Sequence, residues 1–125
     1  MVRGFTVAAA LAVGALSVAG CGSDSSTSAY VPPTGPPVKT IQLSGKNFAF
    51  TPSTISGPAG ILQFDLKSTD GLHDLVIEGI AGFQVEVTSG SASSGKVDLK
   101  AGKYTFYCDI PGHRAAGMVG TLTVK

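Results

Sequence analysis

Apolar side chains return at every second position through most of the chain: Phe64 and Leu66, Leu75 and Ile77, Phe83, Val85 and Val87, Val97 and Leu99, then Leu122 and Val124. Successive side chains of a strand point to opposite faces, so each stretch reads as a strand with one face in a core and the other toward water. The stretches are parted by Ser56-Gly57-Pro58, Asp70-Gly71, Gly79, Ser89-Gly90, Ala101-Gly102 and Pro111-Gly112. The 17 Gly and 7 Pro of this 125-residue chain suit turns and are costly inside helices. Alternation and turn spacing together predict antiparallel, half-buried strands in an all-β fold, a Greek-key β-sandwich of about seven to eight strands. Asn47 to Pro58 alternates less regularly and is expected to form an irregular edge.

The first residues do not share this pattern. Arg3 precedes a run from Gly4 to Gly20 broken only by Thr6 and Ser17, which reads as an export signal over residues 1–20. The run is rich in Ala and Gly and short for a bilayer span. Its end, Leu16-Ser17-Val18-Ala19-Gly20-Cys21, resembles the lipobox of bacterial lipoproteins. That resemblance implies cleavage before Cys21 and a lipid on its thiol, anchoring the protein to the cell membrane on the extracytoplasmic side. Residues 21–39, Ser-rich and then Pro-rich with little apolar to bury, read as a lipid-anchored tether whose 18 residues after Cys21 reach about 55 Å at roughly 3.1 Å per residue. Residues 40–125 are then the folded domain. Nine Lys and Arg against eight Asp and Glu leave a net charge of +1, which lacks the positive density that drives phosphate-backbone binding; nucleic acid is excluded as a partner.

Within residues 40–125 there is one cysteine, Cys108, two histidines, His73 and His113, and one methionine, Met118. Alternation turns His73 to the side of Leu75 and Ile77, Cys108 to that of Tyr104 and Phe106, and Met118 to that of Leu122 and Val124. All three face the core. Taken singly, a buried Cys is a small hydrophobe, a Met fills gaps and a His beside Gly is a loop residue. Taken together they are two imidazoles, a thiolate and a thioether, the donor set of a blue-copper electron-transfer site with His, His and Cys in a trigonal plane and Met as a weak axial ligand. Cys108 to Met118 spans a strand end, a turn and the start of the next strand, so one loop can wrap one ion.

Tyr104-Thr105-Phe106-Tyr107-Cys108, Pro111-Gly112-His113 and Gly117-Met118-Val119-Gly120 resemble the C-terminal loop of cupredoxins of the plastocyanin and azurin group. His73-Asp74-Leu75-Val76-Ile77 is similar to their first copper histidine, and Asn47-Phe48-Ala49-Phe50 and Pro58-Ala59-Gly60 extend the likeness. The resemblance implies a small β-sandwich with one type 1 copper near one end, held by His73, Cys108, His113 and axial Met118. Much of the family has Asn after the first histidine and Ser or Thr after the cysteine, bracing the two loops. Here the positions hold Asp74 and Asp109. By family geometry these acids are expected to face each other beside the copper and titrate as a coupled pair, with Arg114 relieving their repulsion.

The expected function is single-electron transport between redox partner proteins, which would dock near His113 on the small apolar surface of Pro111, Ala115, Ala116, Gly117 and Leu72. The expected state is a monomer. The competing reading is an envelope copper carrier or storage protein that uses the same ligands without a redox role. Enzymatic activity is not expected, because multicopper oxidases and nitrite reductases need further His-rich copper sites that two histidines cannot build.

Overall fold

The computed structural model describes residues 29–125; the signal segment and Cys21 lie outside the described residues. Nine strands form two packed sheets: β1 (Lys39–Lys46), β2 (Ala49–Thr51), β3 (Thr54–Gly57), β4 (Gly60–Ser68), β5 (His73–Ile77), β6 (Gln84–Val87), β7 (Ala92–Leu99), β8 (Gly102–Tyr107) and β9 (Val119–Val124). One sheet runs β2-β1-β4-β7 and the other β3-β9-β8-β5-β6. The all-β sandwich is as the alternation implies, and the buried faces follow it: Leu62, Phe64 and Leu66 of β4 meet Leu75, Ile77, Phe106 and Leu122 of the opposite sheet in one core. No helix among the described residues is long and apolar enough to cross a membrane.

Two details differ from expectation. There are nine strands because the irregular Asn47–Pro58 stretch divides into β2 and β3, each an edge strand of a different sheet. The sheets are also mixed rather than antiparallel throughout, since β1 pairs with β4 and β3 with β9 in parallel. Periodicity reports which face a side chain occupies; it carries no information on the neighbour's direction.

The segment before β1 is not wholly a free tether. The Tyr30 ring meets Phe83 edge-on, with centroids 5.5 Å apart, and its hydroxyl donates to the Lys96 carbonyl at 2.7 Å. Lys96 Nζ returns a bond to the Gly35 carbonyl at 2.9 Å, and Val38 N–H bonds Ile61 O at 2.7 Å. Residues 30–38 therefore strap the side of the sandwich where β6 and β7 meet. Register places this strap toward the end away from His73, since His73 pairs with Val87 while Phe83 precedes the opposite end of β6. Tyr30, an aromatic with a polar tip, was the apolar content that the Ser- and Pro-rich composition concealed.

Close packing is tightest at Gly120 of β9, where a Cβ would overlap Phe106 Cζ and stand 2.5 Å from the Ser53 carbonyl oxygen. Gly120→Ala is expected to cost about 3 kcal/mol or more, because an aromatic ring and a backbone oxygen must both move. Tyr30→Ala should cost less, about 1–2 kcal/mol for half-buried ring contacts and one hydrogen bond. Denaturant midpoints of the two variants check the order; a Gly120→Ala protein as stable as wild type contradicts the packing.

Candidate metal centre

His73 opens β5 directly after the tight turn in which Ser68 Oγ donates to the Gly71 carbonyl at 2.7 Å. Its ring is 3% exposed. Nε2 lies 2.8 Å from Asp70 Oδ1, and a carboxylate only accepts, so the proton sits on Nε2 and Nδ1 presents its lone pair. That Nδ1 is buried and has no hydrogen-bond partner among the described residues. An unpaired buried polar atom costs about 1–3 kcal/mol, and its presence beside a thiol marks a place for a cation.

Cys108 follows β8, is fully buried and is free. Burial pushes its thiol up, and a metal cation beside the sulfur would favour the thiolate. Its Sγ accepts from the Asp74 backbone N–H at 3.4 Å and lies 3.4 Å from His113 Nδ1. One donor atom from each of His73, Cys108 and His113 falls within 4.8 Å of the others, so one ion can touch all three. Two imidazoles and a thiolate in an apolar wall fit copper of the type 1 kind.

The loop that carries His113 closes on itself. His113 N–H donates to Ile110 O at 3.0 Å, Met118 N–H to His113 O at 3.0 Å, and Cys108 N–H to Met118 O at 3.1 Å. Gly117, at φ +111°, makes the left-handed turn back into β9 that a Cβ would strain. Met118 is fully buried. A Cβ at Gly45 of β1 would lie 2.9 Å from Met118 Cε and 3.2 Å from His73 Cδ2, so the opposite sheet seats directly on both side chains. On the outer side, the Phe48 ring stands edge-on to His113 with centroids 4.9 Å apart.

Asp74 and Asp109 are not a facing pair. Asp74 is buried; its Oδ1 accepts from the Asp109 backbone N–H at 2.5 Å and its Oδ2 from Gln84 Nε2 at 2.7 Å. The Asp109 side chain is exposed. Asp109, two residues past the end of β8, thus meets Asp74 through its backbone donor while its own side chain is exposed. Arg114 does not serve them either: it bonds Glu78 Oε2 at 3.1 Å and lies 4.0 Å over the Tyr107 ring.

Sequence reasoning brought His73, Cys108, His113 and Met118 to one end of the sandwich and passed over Gly45, Phe48, Asp70 and Gln84. Asp70-Gly71 reads as a turn and Gly45 as a strand end; neither residue type announces a metal site. The Asp74 brace is directly testable. Asp74→Ala leaves the Asp109 N–H and Gln84 amide without their acceptor and is expected to cost about 2–3 kcal/mol, whereas Asp109→Ala should fall within about 0.5 kcal/mol of wild type. Thermal unfolding of the metal-free proteins separates them; equal losses would contradict the brace.

Residues 37–125 match the sequence model of a family described as copper binding proteins, plastocyanin/azurin family. A search of curated proteins finds no match. Among solved structures, auracyanin B superposes with a TM-score of 0.67 at 20% identity, covering 75% of this chain and 94% of that one. Auracyanin A, a blue copper protein from the green thermophilic photosynthetic bacterium Chloroflexus aurantiacus, gives 0.61 at 19% identity, covering 72% and 100%. Auracyanin from the photosynthetic bacterium Roseiflexus castenholzii gives 0.58 at 21% identity, covering 72% and 99%. These identities speak for the fold, and the family match together with the His-Cys-His cluster speaks for the cofactor, one type 1 copper. The chain belongs to the plastocyanin/azurin family of copper-binding proteins.

Proposed function

We propose that this protein carries single electrons between redox partners at the cell envelope, and that His73, Cys108, His113 and Met118 would hold the copper that does so. The observation that carries the reading is the triad of His73, Cys108 and His113 with its unpartnered His73 Nδ1, held by backbone hydrogen bonds within the Cys108–Met118 loop and by the carboxylates of Asp70 and Asp74. When bound, copper supplies a one-electron change between Cu(II) and Cu(I). The chain's part is to keep the donors in place through that change. The self-closed loop holds Cys108 and His113, β5 holds His73, and the Asp74 brace ties β5 to the loop, so neither oxidation state requires the site to reorganise. The Asp74 N–H on Cys108 Sγ withdraws charge from the thiolate and so tunes the potential.

His113 is the ligand nearest water, and the surface beside it suits a brief contact. Exposed Phe48 and Leu72 join Ile110 and His113 around a depression of about 510 Å³. Phe48 enlarges the small apolar face predicted from Pro111, Ala115, Ala116, Gly117 and Leu72, all of which are exposed. A redox partner would dock there. Cys21 would carry the lipid, and the Tyr30 strap would bring the chain off the membrane at the end of the sandwich away from His73.

The visible spectrum of the copper-loaded protein tests the site. Wild type should show the intense thiolate-to-copper band, Cys108→Ser should lose it, and Met118→Leu should keep it and raise the potential by shifting the one-electron equilibrium at least tenfold, about 59 mV. Reversible voltammetry supports electron transport; tight copper binding without reversible reduction would favour the carrier or storage reading. Cys21→Ala should release the protein from membranes to the soluble fraction, since each buried lipid methylene is worth about 0.8 kcal/mol, and should leave the spectrum unchanged. Retention on membranes would show that the lipid is not the anchor.

A further inference from the structure

We infer that Asp70 is a positioning residue for the copper site, one carboxylate that holds His73 in the tautomer offering Nδ1 and also pins the turn that sets Phe48 against His113. The inference rests on the reading of His73 as a copper ligand. Its two oxygens are used on different elements. Oδ1 takes the His73 Nε2–H at 2.8 Å, and Oδ2 takes the Asn47 backbone N–H at 2.7 Å. An acid that merely caps a turn needs one such bond; here the second goes to an imidazole that is almost wholly buried.

Both contacts resist an unfavourable alternative. A neutral imidazole can place its proton on either nitrogen, and a proton on Nδ1 would close the lone pair that faces Cys108 and His113. The carboxylate on Nε2 removes that choice. Asn47 and Phe48 are consecutive non-glycine residues at φ +51° and +56°, a left-handed pair that costs free energy and persists only where neighbours hold it. Asp70 binds the first N–H of that pair, and the second residue's ring lies edge-on to His113. A single side chain thereby steadies both histidines. A carboxylate on Nε2 would also make the Nδ1 donor more basic, which would favour the oxidised state of a bound copper.

The experiment compares wild type, Asp70→Asn and Asp70→Ala with Asp98→Asn, which removes an exposed acid from β7, a strand of the opposite sheet. Long-range proton–nitrogen NMR of the metal-free proteins reads the His73 tautomer, and voltammetry of the copper-loaded proteins at pH 7 reads the potential. Wild type and Asp98→Asn should show only the Nε2–H tautomer, and Asp70→Ala a mixture. Asp70→Asn retains an acceptor for one of the two N–H groups and should fold if the Ala variant does not. Both Asp70 variants should shift the one-electron equilibrium toward the reduced protein about tenfold, a rise of about 59 mV. A His73 ring that stays wholly Nε2–H in Asp70→Ala, or a potential that moves no further in Asp70→Asn than in Asp98→Asn, overturns the inference. Failure of the ligand reading is a separate result: wild type would lack the thiolate band, and the tautomer measurement on metal-free protein would still decide the role of Asp70.

Discussion

His73 Nδ1 is buried with no protein partner among the described residues, a condition that costs free energy unless an ion arrives. A flexible site would relieve that cost by turning the ring or admitting water. Here the ring cannot turn without giving up Asp70, the sulfur opposite is tied to the Asp74 amide, and Gly45 lets the other sheet press against both His73 and Met118. The stability of the sandwich thus offsets a local instability, and the ion completes what the fold leaves open.

The hydrogen bonds around the site divide by type, and the division matters for electron transfer. Backbone groups set the loop from Cys108 to Met118, so its shape depends on chain geometry and on Gly117 rather than on the rotamers of exposed side chains. Carboxylates then tie the ligand-bearing elements together: Asp74 joins β5 to the loop, and Asp70 joins His73 to the Asn47-Phe48 turn. Both acids accept bonds that a neutral side chain could accept in part.

The polarity of the sandwich follows from strand register. His73, Cys108 and Met118 gather at one end, and the Tyr30 strap attaches toward the other, along the edge where β6 and β7 meet. An approach from the chain's N-terminal side and an approach to His113 do not compete for surface. The exposed Phe48 and Leu72 occupy the His113 end.

Residue types and periodicity were enough to determine that strands form, which side chains face the core and which four donors exist, because these are local properties of the chain. They could also show that Cys108, His113 and Met118 share a loop. What only the tertiary structure decided is that β5 and β8 are neighbours, pairing Val76 with Tyr107 and Ile77 with Phe106, so that His73 comes to Cys108 across 35 residues of chain. Parallel pairing of β1 with β4 and β3 with β9, the outward turn of Asp109 and the inward strap of Tyr30 belong to the same class. Asp70 shows the limit most plainly: beside Gly71 it reads as a turn former, and its role appears only once His73 and Asn47 are folded onto its two oxygens. Strand pairing is chosen by the packing of the whole core, a long-range sum that no single stretch of sequence contains.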